Sequence, residues 1–265
     1  MCDSAIPSQE FDQKLSSAEH QIRAIALADQ EAKRAQAHSR PFLARGSAAI
    51  RCSACRLPAA QCICAYRVET QSYAQFWVIM HPEEAYKPTN TARLIGDVLP
   101  DTRYFGWYRT APDAELLALL QDPRYQPFII FPDDQEDVKP RVRELDLNTL
   151  GERIPVFILL DGTWRQARRI FRKSPYLADI PVLPLHHEMK IRYALRKPAS
   201  EAHLCTAEAA MSLLMLSGDH QASEVLSHYF DVFNLHYAAA RRHQAPGLAA
   251  PMRWLLDYRQ NNTST

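Results

Sequence analysis

An α/β fold with a mostly parallel sheet is what this sequence predicts, and three observations carry the prediction. Short apolar runs, "AQFWVIM", "TRYFGWY", "QPFIIFP", "IPVFILLD" and "IPVLPL", succeed one another from residue 74 to residue 185, with helical patterns between most of them. Several are apolar throughout and do not alternate, which is the pattern of strands covered on both faces. The segments that follow four of them, "HPEE", "PDDQ", "DGTW" and "HHEMK", are polar or charged, and parallel sheets bind ligands beyond the carboxyl ends of their strands. At 265 residues and 47% hydrophobic content the chain can bury a core of that size. The net charge of +1 excludes a molecule-wide field for nucleic acid, so any basic surface must be local.

Each element has its own reason. From Ser8 to about Ser39 the chain is rich in Ala, Gln, Glu and Lys, lacks Gly and Pro, and carries Phe11, Leu15, Ile22, Ile25 and Leu27 at roughly helical spacing. Residues 1–45 are therefore expected to form a helical extension, solvated and without chemistry of its own, that ends near Pro41. Residues 46–70 hold a cysteine knuckle and residues 71–265 the α/β domain. Within that domain helices are expected at Thr91 to Val98, Pro112 to Gln121, Trp164 to Lys173 and Ala207 to Leu216. A last one, from Gln221 to His243, places Val225, Leu226, Tyr229, Phe230, Phe233 and Tyr237 on one side. The start "MCDSAIPSQEFDQK" is too polar for a signal peptide, and no apolar run reaches about 18 residues. The expectation is a soluble, cytoplasmic protein with no membrane contact and no obligate protein partner.

Four of the six cysteines, Cys52, Cys55, Cys62 and Cys64, crowd into "RCSACRLPAAQCIC" as one CxxC and one CxC pair. Two tight hairpins facing each other can supply the four thiolates of tetrahedral zinc, which would then be saturated and structural. An iron-sulfur cluster or four reduced thiols are the alternatives. Arg45, Arg51, Arg56 and Arg67 surround the pairs with no acid between Pro41 and Val68, a composition that suits a phosphate backbone or a merely solvated surface. Cys2 and Cys205 stand apart as ordinary thiols.

The run "LLDGTWRQARRIFRKSP" passes from an apolar strand end through Asp161 into a helix crowded with arginine. Thr163 and Gln166 have the spacing of a capping box, which frees Asp161 from capping. Trp164, Ala167 and Phe171 make an apolar stripe, with Trp164 by itself reading as core, while Arg165, Arg168, Arg169 and Arg172 gather on the other side. Those arginines can hold phosphates or form a solvated face. Asp161 can bond the amides of its turn, accept a proton in a partly desolvated cleft, or do both.

"DGTW" at the end of an apolar strand resembles the signature of the DTW-domain proteins, the tRNA-uridine aminocarboxypropyltransferases. "HPEEAYKPTNTARL" is similar to that family's HPxE and NTA elements through His81, Pro82, Glu83, Asn90, Thr91 and Ala92. "YALRKP", with Tyr193, Leu195 and Arg196, and "LCTAEAA", with Thr206, Glu208 and Ala209, resemble its Y-x-L-R and T-x-E-A elements. The knuckle also sits where these proteins carry one. The motifs run from about Cys52 to Met215.

The resemblance implies transfer of the 3-amino-3-carboxypropyl group of S-adenosyl-L-methionine to N3 of a tRNA uridine, leaving methylthioadenosine. It implies a SPOUT-like domain with a knotted cofactor loop, which periodicity would never suggest. Asp161, with Thr163 and Trp164 of the same motif, is then the catalytic candidate, able to remove or steer the N3 proton. Arg196 and Glu208 match the carboxylate and ammonium of the donor by charge, beside Tyr193 and Thr206. Phe131, Leu160 and Leu185 would line the adenine. His81, Glu83, Asn90 and Thr91 would position substrate or stabilise their own loop, and Arg165, Arg168, Arg169 and Arg172 would hold tRNA phosphates. An S-adenosylmethionine-dependent RNA methyltransferase, and a zinc-containing RNA-binding protein without transfer activity, are the rival readings. The intact acid in "DGTW" and the polar strand ends speak against the second.

Overall fold

The structure, a computed structural model, describes residues 17–35, 50–185 and 204–262. The five apolar runs become β1 (Gln75–Met80), β2 (Arg103–Gly106), β3 (Tyr125–Ile130), β4 (Ile154–Asp161) and β5 (Val182–Leu183). They pair in parallel throughout, in the order β2-β1-β4-β3-β5. β5 is shorter than its apolar run because Pro181 and Pro184 bracket it, and neither can donate to a ladder.

Along β1, Phe76, Val78 and Met80 enter one hydrophobic core and Trp77 and Ile79 the other; on β4, Phe157 and Leu159 oppose Val156 and Ile158. Covering on both faces is why these strands show no polar alternation. One face carries α3 (Ala114–Leu120) and α4 (Trp164–Lys173), through Leu116, Ile170 and Phe171. The other carries α1 (Ser17–Ala35), α2 (Ala92–Val98), α5 (Thr206–Leu216), α6 (His220–Arg241) and α7 (Ala250–Asn262). The helices α2, α3, α5 and α6 lie close to their expected bounds.

Two helices differ from expectation. α1 is more than a solvated extension: Ala18, Ile22, Ile25 and Ala26 are buried in the same core as the sheet. Its Gln21 Oε1 accepts the Tyr104 backbone N–H at 2.8 Å, which occupies a donor on edge strand β2. It crosses α2 at Gly96, where a Cβ would stand 2.4 Å from that of Ala18, so the approach requires glycine. α7 has no counterpart among the expected helices. Pro251 falls in the first turn of α7, where a proline is tolerated, and Met252 and Leu255 are buried.

The knuckle joins the core of this second face through Leu57 and Ile63, both fully buried. Arg67 Nη1 lies 3.2 Å from Glu19 and 3.6 Å from Asp97, and the Tyr229 hydroxyl donates to Asp97 at 3.1 Å. Knuckle, α1, α2 and α6 thus meet at one buried ionic cluster, where burial pushes Asp97 up to about 7. No helix among the described residues is long and apolar enough to cross a membrane.

Candidate active site

β1 and β4 are neighbours, with Met80 opposite Asp161, and their following helices, α2 and α4, leave toward opposite faces. The crevice between two such strand ends is where α/β sheets bind ligands. Asp161 sits there as the last residue of β4 and is only 4% exposed. Its Oδ2 accepts Asn90 Nδ2 at 2.6 Å and its Oδ1 accepts the Thr206 hydroxyl at 2.6 Å. Burial pushes its pKa up from 3.8 to about 6, although both hydrogen bonds pull the other way. Thr206 opens α5, so the positive end of that helix also faces the carboxylate. Asn90 Oδ1 is a buried acceptor with no hydrogen-bond partner among the described residues.

The turn after Asp161 brings a second group together. Thr163 caps α4 and forms the expected capping box with Gln166. Gln166 Oε1 accepts both the Thr163 N–H and its hydroxyl at 2.8 Å, while Nε2 reaches His81 Nδ1 at 3.1 Å and Glu83 Oε2 at 3.1 Å. The "HPEE" and "DGTW" turns are thereby tied side by side. Gly162 makes this possible, since a Cβ there would come within 2.9 Å of Gln166 Cβ. Burial holds the His81 pKa below its ordinary value. In the sequence Gln166 reads only as a cap; its partners lie 85 and 83 residues away, and no local pattern signals them.

The remaining expected residues are placed unevenly. Thr91 precedes α2 but does not cap it; its hydroxyl oxygen accepts the Ala207 N–H of α5 at 3.4 Å. Glu208 is buried and accepts the Cys205 N–H at 2.8 Å, completing the box that starts α5. Phe131 and Leu160 border the core under α4, whereas Leu185 borders the opposite core, so the three share no common cluster. Tyr193 and Arg196, with the loop "HHEMK", lie outside the described residues. Trp164 is not core: it is 38% exposed and stacks on Phe131 at 5.3 Å, because the first turn of α4 stands clear of the sheet.

The arginines divide in the same way. Arg165 is exposed and Arg168 half-buried, while Arg169 lies 5.7 Å over the Trp107 ring and Arg172 lies 3.6 Å from Asp137. In the knuckle, Arg67 faces Glu19 and Asp97, which removes it from any phosphate-binding set. Arg51 remains exposed there and Arg56 half-buried; Arg45 is outside the described residues.

The four knuckle sulfurs all lie within 4.8 Å of one another. Cys52 and Cys64 are 3.6 Å apart and Cys55 and Cys62 3.7 Å apart. A tetrahedron with sulfurs about 2.3 Å from zinc has edges of about 3.8 Å, so the four residues fit a metal of that kind. Arg56, in the turn between Cys55 and Leu57, takes a left-handed φ of 61° and donates its N–H to Cys52 O at 3.0 Å. That tight turn aims the first thiol pair inward.

A family model described as DTW domain matches residues 49–238. Among curated proteins, tRNA-uridine aminocarboxypropyltransferase 2 of Mus musculus is 26% identical over 186 residues, covering 66% of this chain and 59% of that protein. The protein of the same name from Macaca fascicularis is 26% identical over 193 residues, with the same coverage. The chain thus spans 59% of the length of these relatives. No solved structure matches.

Proposed function

This chain belongs to the DTW domain family, and we propose that it modifies tRNA, moving the 3-amino-3-carboxypropyl group of S-adenosyl-L-methionine onto N3 of a uridine. The observation that carries the reading is the buried Asp161 at the β1–β4 crevice, with a pKa raised to about 6. A base of that strength is largely ionised at neutral pH yet remains a competent proton acceptor.

The uracil N3 proton passes to the Asp161 carboxylate, and the N3 lone pair attacks the methionine-side carbon next to the sulfonium. The carbon–sulfur bond breaks, and its electron pair stays on sulfur in methylthioadenosine. All three carbons on a sulfonium are electrophilic, so positioning selects the product. Asn90 and Thr206 hold the two carboxylate oxygens in place. Asn90 Oδ1, which has no partner among the described residues, supports a ligand N–H at the same spot, because a buried acceptor left without a donor is costly. Glu208 and, outside the described residues, Tyr193 and Arg196 are proposed for the amino-acid end of the donor. Phe131 and Leu160, which share one face of the sheet, are proposed for the adenine, and Leu185 on the opposite face is not. A SPOUT-like domain with a knotted cofactor loop belongs to this reading, and five parallel strands are compatible with it.

Cys52, Cys55, Cys62 and Cys64 would hold zinc, which supplies folding energy and no open coordination position. tRNA phosphates would meet Arg165 and Arg168 on one layer and Arg51 and Arg56 on the other. Two samples of the donor test the reaction, one labelled in the carboxyl carbon of its methionine part and one in the methyl. Carboxyl label should enter tRNA and methyl label should not; the reverse pattern would make the protein a methyltransferase.

A further inference from the structure

We propose that Gln166 is a positioning residue that fixes His81 as a neutral imidazole with its proton on Nε2, so that this N–H is offered to a uracil carbonyl oxygen. The tautomer follows from the geometry alone, whereas the identity of the acceptor rests on the function proposed above.

The Gln166 amide cannot be turned round. Its Oε1 faces the Thr163 backbone N–H, which only donates, and its Nε2 faces the Glu83 carboxylate, which only accepts. The second hydrogen on Nε2 therefore points at His81 Nδ1, 3.1 Å away. The Glu83 backbone N–H approaches the same nitrogen at 3.4 Å. Two donors converge on Nδ1, which must carry a lone pair, and the ring proton is left on Nε2. Glu83 Oε2 is the acceptor that could draw a proton onto Nδ1, but it stands 3.9 Å off, with the Gln166 amide nearer. Burial also disfavours the imidazolium and Arg169 acts in the same sense; Glu83, Glu84 and Asp29 oppose them without reversing the shift.

The His81 backbone N–H donates to Asp161 O at 2.9 Å, which fixes the His81 backbone to the strand end that carries the proposed base. When N3 gives up its proton to Asp161, negative charge moves onto the two flanking carbonyl oxygens of the uracil. A fixed N–H donor there stabilises the charge as it forms and needs no reorganisation. An Nδ1-protonated ring would instead turn a lone pair toward the carbonyl. Gln166 acts through His81 and is not itself expected to touch substrate.

Nitrogen-15 NMR of the full chain labelled in histidine reads the tautomer directly, with a His81→Asn sample identifying the His81 signals. At neutral pH the parent should show Nδ1 unprotonated and Nε2 protonated. Gln166→Met keeps the volume, removes the amide and should populate the Nδ1-protonated form. In a tRNA assay the same change should lower kcat by about tenfold with little effect on KM for tRNA. His81→Gln, which retains a side-chain N–H but no tautomers, separates positioning from helix capping. In that background Gln166→Met should cost little further, because the two residues act as a unit. A parent ring protonated on Nδ1, or an equal loss of rate from Gln166→Met in both backgrounds, would overturn the proposal. If the parent transfers nothing to tRNA, the proposed function fails, while the NMR comparison still decides whether Gln166 sets the tautomer.

Discussion

Asp161 is legible as a candidate from four letters of sequence, but its environment is not. Asn90 and Thr206 lie 71 and 45 residues away, and only the fold brings them to one carboxylate. Its raised pKa has a testable sign. Below about pH 4 both the folded and unfolded chains carry the proton, and burial exacts nothing. Between about 4 and 6 the unfolded chain ionises first, so stability falls as pH rises; above about 6 the loss is complete. A shift from 3.8 to about 6 corresponds to roughly 2 to 3 kcal/mol. Asp161→Asn should therefore be more stable than the parent at pH 8 by up to that amount, with the gain vanishing near pH 4. Denaturant unfolding at the two pH values measures it. Transfer by the parent should decline below about pH 6, as the carboxylate takes up its proton.

At the scale of elements, α4 matches its expected bounds residue for residue, because the capping box, the apolar stripe and Lys173 before Ser174 and Pro175 all mark it locally. What spacing cannot tell is which arginines are engaged. Arg172 near Asp137 and Arg169 over Trp107 have partners supplied by other loops. Arg165 and Arg168 are thus the pair to test. Changing both to Gln leaves helix propensity almost unchanged. The expected result is weaker tRNA binding and a slope of log affinity against log salt shallower by about 1 for each phosphate no longer neutralised. Binding of the donor should not change. α1 and α7 show the opposite failure of local reading: α1 has its apolar residues in plain view, but their use against α2 and β2 depends on long-range packing.

For the whole molecule, the class of fold is readable because a parallel sheet covered on both faces leaves apolar runs with polar ends. The strand order is not, since nothing in the runs says that β4 lies beside β1. Nor does the cysteine spacing reveal how far the knuckle reaches into the core. Arg93, buried in α2, donates to Ala54 O of the knuckle at 3.4 Å and to Asn90 O at 3.2 Å, so knuckle and site share a clamp. Metal analysis should find about one zinc per chain. Its removal by a chelator should lower the melting temperature of the whole chain in a single transition and weaken transfer, since Leu57 and Ile63 belong to the main core. Whether the Asp161 carboxylate removes a uridine proton for attack on the donor is read out by mass spectrometry of tRNA nucleosides. After incubation with S-adenosyl-L-methionine, the parent should give a uridine carrying the 3-amino-3-carboxypropyl group and an equal amount of methylthioadenosine, and Asp161→Asn should give neither. A methylated nucleoside, no modification by the parent, or undiminished product from Asp161→Asn would overturn the proposed transfer at Asp161.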